Sequence, residues 1–248
     1  MFAHRGGRME TDENTLQAFE YSYQLGYKGY EIDIRMTSDG ELVLMHDSTL
    51  ERTTNGKGMV EQKTRAELEK LLTKKGNPIL FLDDFLKFLE GKDDLYVEFE
   101  MKTNPASHYT DELLKTYCDK LYQMVMKNKP AHSDYVFTSG DYRGLKYLKK
   151  TYPEVDLLMI TGDGCNQKTI ELCKSMGVKR IGAVMGKTTR EGVQLAHREG
   201  LQVSLWPGLS FEDFMLGVYL GCDYMCTDVP QLVKKQAAEK ASWVKVKY

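Results

Sequence analysis

The sequence lacks both a long apolar segment and a secretory leader. No run approaches the roughly 18 consecutive apolar residues that a membrane-spanning helix needs. No basic region followed by an apolar stretch stands ahead of Phe2. We therefore expect a soluble, cytoplasmic protein with no membrane span, unless a leader has been removed from its N-terminus.

Paired cysteines are also lacking. The five cysteines are odd in number and none belongs to a CxxC pair, which argues against a disulfide framework and against a zinc site. Free cysteine is among the most buried residue types. We predict reduced core thiols at Cys118, Cys165, Cys173, Cys222 and Cys226.

An excess of charge of one sign is absent as well. The formal net charge is −2, so no general attraction to nucleic acid is expected and any recognition of a phosphate must be local. The length of 248 residues fits a single α/β barrel of roughly 250 residues as well as it fits two small domains. Length alone therefore does not choose between them.

The most informative stretch is Glu31–Asp47, EIDIRMTSDGELVLMHD. Polar and apolar residues alternate at its start, so Glu31 and Asp33 should share one face of a strand. Acidic neighbours on a buried face repel each other, and they are tolerated mainly when a cation lies between them. The Asp39-Gly40 turn should bring the chain back and place His46 near the acids. A solvated strand edge with a surface histidine is the alternative that this stretch leaves open.

Short apolar strands alternate with amphipathic helices along the chain, beginning with a strand over 1–4 and a helix opened by Glu13-Asn14-Thr15, with Asn14 as its cap. Eight such strands imply parallel pairing and closure as a (β/α)8 TIM barrel. A doubly wound open sheet is the alternative, but no GxGxxG follows the first strand. We predict one domain over 1–248 with a small insertion at about 48–82, because that segment is too long for an ordinary βα loop.

Reactive side chains recur at the ends of the first three barrel strands, where a barrel places its chemistry. They are His4 and Arg5 in the first strand, Glu31 and Asp33 in the second, and Glu100 and Lys102 in the third. Three carboxylates offer oxygen ligands to a hard cation, which favours Mg²⁺ or Ca²⁺ over zinc. The arginine and the lysine supply positive charge for phosphate oxygens. His4 and His46 are candidates for an acid–base pair, one taking a proton and the other giving one.

The motifs, taken in this order, resemble those of the glycerophosphodiester phosphodiesterases. The shared motifs are His4-Arg5-Gly6, Glu13-Asn14-Thr15, Glu31-x-Asp33, Thr37-Ser38-Asp39-Gly40, His46-Asp47, Leu50-Glu51-Arg52-Thr53-Thr54-x-Gly56-x-Gly58, Glu100-x-Lys102 and Thr227-Asp228-x-Pro230. The resemblance spans the whole chain and is concentrated in the part that ends at Lys102.

The resemblance implies a (β/α)8 barrel with a small insertion after its second strand and a divalent cation as cofactor, Mg²⁺ or Ca²⁺. The implied roles are metal binding by Glu31, Asp33 and Glu100, acid–base catalysis by His4 and His46, and phosphate binding by Arg5 and Lys102. The implied reaction cleaves a small-molecule glycerophosphodiester to sn-glycerol 3-phosphate and an alcohol. In it the glycerol 2-hydroxyl attacks phosphorus, and water opens the cyclic intermediate.

Two stretches of the second half depart from the family's pattern. Thr138-Ser139-Gly140-Asp141 lacks the aromatic residue that many relatives have after the serine, and Pro207-Gly208 follows Trp206 where Thr-Val-Asn is usual. Both departures concern the pocket for the alcohol. Trp206 packs on the glycerol in one interpretation and is a core aromatic in the other.

Two other functions stay open on this sequence. One is a lysophospholipase D or sphingomyelinase D-like phosphodiesterase on the same scaffold, and the products formed from a lysophospholipid would distinguish it. The other is a non-catalytic phosphodiester-binding barrel. The presence of both histidines and all three acids argues against the binding barrel.

Overall fold

Strands and helices alternate along residues 1–246, the part of the chain that the computed structural model describes. The strands are β1 (Phe2–His4), β2 (Gly29–Met36), β3 (Leu42–Leu44), β4 (Tyr96–Met101), β5 (Asp134–Ser139), β6 (Leu157–Ile160), β7 (Arg180–Val184), β8 (Gln202–Gly208) and β9 (Tyr224–Thr227). The α-helices are α1 (Leu16–Gln24), α2 (Arg65–Leu68), α3 (Leu82–Leu89), α4 (Asp111–Lys127), α5 (Tyr142–Thr151), α6 (Gln167–Ser175), α7 (Arg190–Arg198), α8 (Phe211–Leu220) and α9 (Pro230–Lys240). Within residues 1–246, none of these helices has the length and apolar character needed to cross a bilayer.

Eight of the strands close into a parallel barrel. The order runs β1-β9-β8-β7-β6-β5-β4-β2, and β1 also pairs with β2, with Ala3 beside Tyr30 and Phe2 beside Cys226 on its two sides. β3 lies antiparallel on β2 as the return strand of the predicted hairpin. The predicted TIM barrel is confirmed, and the open sheet is wrong because the first and last strands are hydrogen-bonded to each other.

The start of α1 differs from the prediction by one residue. The hydroxyl of Thr15, not the side chain of Asn14, accepts a hydrogen bond from the amide of Ala18, at 3.2 Å. Asn14 has a positive φ of 57° and its side-chain amide donates to Asp33 instead, at 2.8 Å. The cap prediction was wrong because the side chain of Asn14 is directed to an acid of the second strand.

Within residues 1–246, the hydrophobic core has three parts. A large layer lies between the strands and the surrounding helices and includes Phe99 and Leu121. A smaller cluster includes Tyr96 and Leu158 and packs among the strands. The segment between β3 and α3 has its own cluster, which consists of Val43, Met45, Leu50, Val60, Leu68, Ile79 and Phe81. The insertion after the second strand is therefore packed around a hydrophobic core of its own.

Four of the five cysteines are buried, and Cys222 is partly exposed. All five are free thiols in the described part of the chain, as predicted, and the predicted core location is confirmed for the four buried ones, whereas Cys222 is only partly buried against the main core.

We predict that Leu121→Ala lowers the free energy of unfolding by about 2–5 kcal/mol, because it leaves a cavity in the main core. Leu121 is fully buried in α4, whereas Leu216 in α8 is 40% exposed. Leu216→Ala is the matched control, and its cost should stay below about 1 kcal/mol. Urea unfolding of both variants measures the difference. Equal losses in the two would contradict the proposed packing.

Candidate active site

One cavity of about 540 Å³ lies at the carboxyl ends of the barrel strands. The predicted site residues that line it are His4, Arg5, Glu31, His46, Glu100, Lys102 and Trp206. Asp33, the remaining one, is fully buried, and Lys102 contacts it at 3.2 Å. The structure therefore brings all eight predicted residues together, although they come from positions spread over much of the chain.

Three carboxylates meet at one side of this cavity. Glu31, Asp33 and Glu100 each offer an oxygen, and the three oxygens lie within 4.8 Å of one another. The register of the sheet explains this, because Asp33 lies beside Glu100 on the neighbouring strand and Glu31 is two residues away on the same face. The buried Oε1 of Glu31 has no hydrogen-bond partner. A close set of hard oxygen donors with a free buried oxygen fits a divalent cation such as Mg²⁺ or Ca²⁺.

Two basic side chains flank the acids. The Lys102 ammonium lies 2.6 Å from Glu100 and 3.2 Å from Asp33, and the Arg5 Nε lies 3.0 Å from Asp33. Burial by itself raises the pKa of Asp33, but Lys102 and Arg5 outweigh it and hold that pKa well below the ordinary range. Burial, followed by repulsion from Asp33 and Glu100, raises the pKa of Glu31 well above its ordinary value. Of Glu31 and Asp33, Glu31 is thus the acid whose ionised form is disfavoured in the cluster.

The imidazole of His4 is held through its Nδ1 by Asp228, a fully buried carboxylate. Burial raises the pKa of Asp228, but the hydrogen bond from His4 and the charge of Arg8 bring it below the ordinary value. An ionised carboxylate only accepts hydrogen bonds, so the proton of this pair is on Nδ1. The Nε2 atom of His4 is then left to the cavity, where Glu31 Oε2 lies 3.6 Å away.

His46 is held in the same way by its neighbour. Its Nδ1 lies 2.7 Å from Oδ1 of Asp47, and the Nε of Arg52 donates to the other oxygen. Burial opposes ionisation of Asp47, yet the hydrogen bonds from Arg52 and His46 lower its pKa to about 2. Burial also lowers the pKa of the His46 imidazole. The two imidazoles therefore share one arrangement, with Nδ1 held by a carboxylate and Nε2 available for chemistry.

Arg35 fixes the loop that carries His46. Its guanidinium donates to the backbone carbonyl of His46 at 2.8 Å, to Glu61 at 2.6 Å and to the carbonyl of Asn104 at 3.0 Å. Both side chains of the Arg35–Glu61 pair are almost completely buried. The insertion, the hairpin and the loop after β4 are thus joined at one guanidinium beneath His46.

Glu13 connects the two loops that border the cavity. It accepts two hydrogen bonds from Arg52, at 2.8 and 2.7 Å, and one from Arg5 at 3.0 Å. Arg5 is therefore held between Glu13 and Asp33, with its guanidinium on the wall of the cavity. This places a fixed planar cation where a phosphate oxygen could be bound.

The opposite wall of the cavity is apolar. It is formed mainly by Leu158, Ile160, Trp206 and Pro207. Trp206 lines the cavity and also packs against the cluster that includes Tyr96. The core interpretation agrees with this packing, and contact with the glycerol stays a prediction.

Several residues of the site have no role that follows from the sequence alone. Asp228 and Arg52 belong to two of the motifs shared with the family. Membership of those motifs was the only sequence signal that pointed to these two residues. Arg8 stands in no recognised motif. Asp228 is 224 residues from His4, and no local pattern reports a contact of that separation.

Comparisons with known proteins place the chain among relatives of similar length. A model of the Glycerophosphoryl diester phosphodiesterase family matches residues 4–232. A glycerophosphodiester phosphodiesterase from Caldanaerobacter subterraneus subsp. tengcongensis is 27% identical over 238 residues, which is 93% of this chain and 94% of the relative. Another from Bacillus altitudinis is 28% identical over 252 residues, 95% of this chain and 96% of the relative.

A solved structure shares the fold of this chain. The phosphodiesterase from Oleispira antarctica, in complex with the product sn-glycerol-3-phosphate, superposes with a TM-score of 0.86. It is 22% identical, and the superposition covers 96% of each chain.

We predict that Glu31→Gln stabilises the metal-free protein at neutral pH by roughly 0.5–2 kcal/mol. The folded state raises the pKa of Glu31, so the folded protein binds a proton more tightly than the unfolded chain does. Stability is then lost as pH rises from the ordinary glutamate value through the raised one. The amide removes this loss and flattens the pH dependence.

Thermal unfolding with chelator, over a series of pH values, checks this prediction. Added Mg²⁺ or Ca²⁺ should raise the melting temperature of the parent protein and not that of Glu31→Gln, because a ligand that binds only the folded state stabilises it. A less stable variant that still responds to the cation would contradict the prediction.

Proposed function

This chain belongs to the glycerophosphoryl diester phosphodiesterase family, and we propose that it hydrolyses glycerophosphodiesters to sn-glycerol 3-phosphate and an alcohol. Relatives of nearly the same length carry the name of that activity. One structural neighbour was solved with sn-glycerol-3-phosphate as its product, and that product is consistent with the proposed reaction.

The observation that carries the proposal is the composition of the cavity. Three carboxylates, two imidazoles and two fixed cations meet in one space that has an apolar wall on its far side. Phosphodiester hydrolysis needs charge neutralisation at phosphorus, a proton acceptor for the nucleophile and a proton donor for the leaving oxygen. This set of side chains supplies each of these.

We propose that Glu31, Asp33 and Glu100 hold a divalent cation, Mg²⁺ or Ca²⁺. When bound, the cation neutralises charge on the phosphate and favours the ionised form of the attacking hydroxyl. Arg5 and Lys102 bind phosphate oxygens, and Arg5 contributes a planar fork that is already oriented by Glu13 and Asp33. When substrate binds, the side chains of Arg5 and Lys102 give up part of their contact with the acids and contact the phosphate instead.

The two imidazoles carry the protons. In the proposed reaction the Nε2 of one neutral ring accepts the proton of the glycerol 2-hydroxyl as that oxygen attacks phosphorus. The other ring enters the step protonated on both nitrogens, and its Nε2 donates a proton to the departing alcohol as the bond between phosphorus and that oxygen breaks. Water then opens the resulting cyclic phosphodiester to sn-glycerol 3-phosphate. Asp228 and Asp47 keep a proton on Nδ1 of His4 and His46, so each ring presents the same nitrogen to the reacting atoms.

The apolar wall favours a second candidate, a lysophospholipase D activity on the same scaffold. A chain carried by the glycerol could lie against Leu158, Ile160 and Trp206, which place no charge on that side of the cavity. Product analysis by ³¹P NMR separates the two. sn-Glycero-3-phosphocholine should yield glycerol 3-phosphate, whereas a preference for lysophosphatidylcholine with release of lysophosphatidic acid would favour the second candidate.

We predict that activity on sn-glycero-3-phosphocholine needs a divalent cation, because the buried Oε1 of Glu31 has no hydrogen-bond partner and three acids beside an anionic phosphate need positive charge between them. Chelation should abolish turnover, and added Mg²⁺ or Ca²⁺ should restore it. Glu100→Gln should weaken cation binding, measured by calorimetry, more than it lowers the melting temperature. Full turnover after exhaustive chelation, with no metal found by elemental analysis, would exclude the proposed cation site.

We predict that His4→Ala and His46→Ala each lower turnover by roughly two to four powers of ten, as is typical for loss of a positioned acid or base. Affinity for the cation should change little. His132→Ala is the control, because His132 is an exposed histidine outside the cavity, and it should leave turnover unchanged.

An activated substrate assigns the two roles. With a nitrophenol leaving group and the glycerol 2-hydroxyl retained, loss of the acid should matter less, while loss of the base should remain costly. Near-normal turnover of either folded variant on sn-glycero-3-phosphocholine would show that this pair does not carry the protons.

A further inference from the structure

Each imidazole of the site is backed by a carboxylate, and an arginine holds the second oxygen of that carboxylate. At His46 the carboxylate is Asp47 and the arginine is Arg52. At His4 the carboxylate is Asp228, and the arginine is Arg8, whose Nε and Nη2 both lie 2.7 Å from Oδ2. Two matching sets therefore flank the three acids, although Arg8 stands in no recognised sequence motif.

The loop that carries Arg8 is fastened to the segment that carries Asp228. The amide of Met9 donates to the carbonyl of Asp228 at 3.1 Å, and the carboxylate of Glu10 accepts from the first amides of α9 at 2.8 and 2.9 Å. Gly7 has a φ of 96°, and a Cβ at this position would lie 2.6 Å from a ring carbon of Pro230. These contacts set the distance between Arg8 and Asp228 independently of their own ion pair.

The environment of Asp228 makes the second oxygen important. Its side chain is fully buried, while that of Arg8 is one-third exposed. Oδ1 is occupied by His4, and Arg8 is the partner of Oδ2 among the described residues. A buried carboxylate that loses its cation is strongly disfavoured, so it rotates or takes up a proton. In either case it no longer acts as a fixed acceptor for Nδ1 of His4.

We propose that Arg8 is a positioning residue, which holds Asp228 as an oriented acceptor so that His4 carries its proton on Nδ1 and presents Nε2 to the cavity. The inference rests on the proposed function insofar as His4 moves a proton in that reaction. The arrangement at Asp47 and Arg52 supports it, because there the same order of imidazole, carboxylate and arginine is built from a different part of the chain.

A direct role in substrate binding is the competing explanation, because Arg8 also lines the cavity. The two explanations differ in kinetics. A positioning residue affects the chemical step, so its loss lowers kcat with little change in KM. A residue that binds the substrate phosphate equally in ground and transition states changes KM.

The first experiment compares Arg8→Met, Arg8→Lys and the control Arg198→Met, which alters an exposed arginine on α7. We expect Arg8→Met to lower kcat on sn-glycero-3-phosphocholine by roughly ten- to a hundredfold, the usual effect of losing a residue that orients a site ligand or side chain. KM should stay within about twofold. Arg8→Lys should recover part of the loss, because it restores a cation beside Oδ2. An unchanged kcat, or a rise confined to KM, would overturn the proposal.

The second experiment places Arg8→Met in a His4→Ala background. If Arg8 acts through His4, the double variant should turn over at the rate of His4→Ala alone, since coupled residues are not additive. A further loss of the full size seen in the parent background would mean that Arg8 acts elsewhere, and would overturn the proposal.

The third measurement does not depend on turnover. In protein labelled with ¹⁵N-histidine, at about pH 8.5, two units above the ordinary imidazole value, the nitrogen shifts of His4 report which ring nitrogen carries the proton. The parent should show Nδ1–H, and Arg8→Met should show a mixture of the two tautomers, with unchanged shifts at His46. An unaltered His4 would overturn the inference. Because this readout works without substrate, an inactive parent protein would refute the proposed function while the tautomer still decides the role of Arg8.

Discussion

Repulsion among three carboxylates is the constraint on which the rest of the site depends. Glu31 and Asp33 point from one strand into a space that also receives Glu100, and burial removes the water that would screen them. Lys102 and Arg5 stabilise Asp33 but leave Glu31 with an unpartnered oxygen. A cluster of this kind lowers the stability of the protein by itself, so it is consistent with a site kept for a bound cation.

The charges around this cluster alternate outward in a continuous series of ion pairs. Asp33 contacts Arg5, Arg5 contacts Glu13, and Glu13 contacts Arg52, which in turn binds Asp47 behind His46. Each ion is thus held by at least one ion of opposite sign, and this matters most for Asp33 and Arg5, which are buried and would be costly without partners. One consequence is that the orientation of the His46 imidazole and the position of the Arg5 guanidinium are linked through shared partners.

Closure of the barrel supplies the other half of the site. β1 lies between β2 and β9, so His4 is adjacent both to Glu31 on one side and to Asp228 at the end of the last strand on the other. An open sheet would separate the first and last strands and leave His4 without its carboxylate. The barrel therefore does more than present loops. The hydrogen bonds that close it also bring Asp228 to His4, the first candidate catalytic residue.

The sequence by itself determined the alternation of strands and helices, the strand count and the polar residues at the first strand ends, because period-2 and period-3.6 patterns and strand termini are local properties. It also led to the eight predicted site residues, seven of which line the cavity while Asp33 lies buried behind Lys102. It could not determine that Asn14 contacts Asp33 instead of capping α1, since both uses suit the same side chain. Nor could it reveal that Asp228 holds His4 and is itself held by Arg8, because Asp228 reaches both residues only once the last strand has closed on the first. Contacts across that closure depend on register and on loop geometry, and only the tertiary structure decides these.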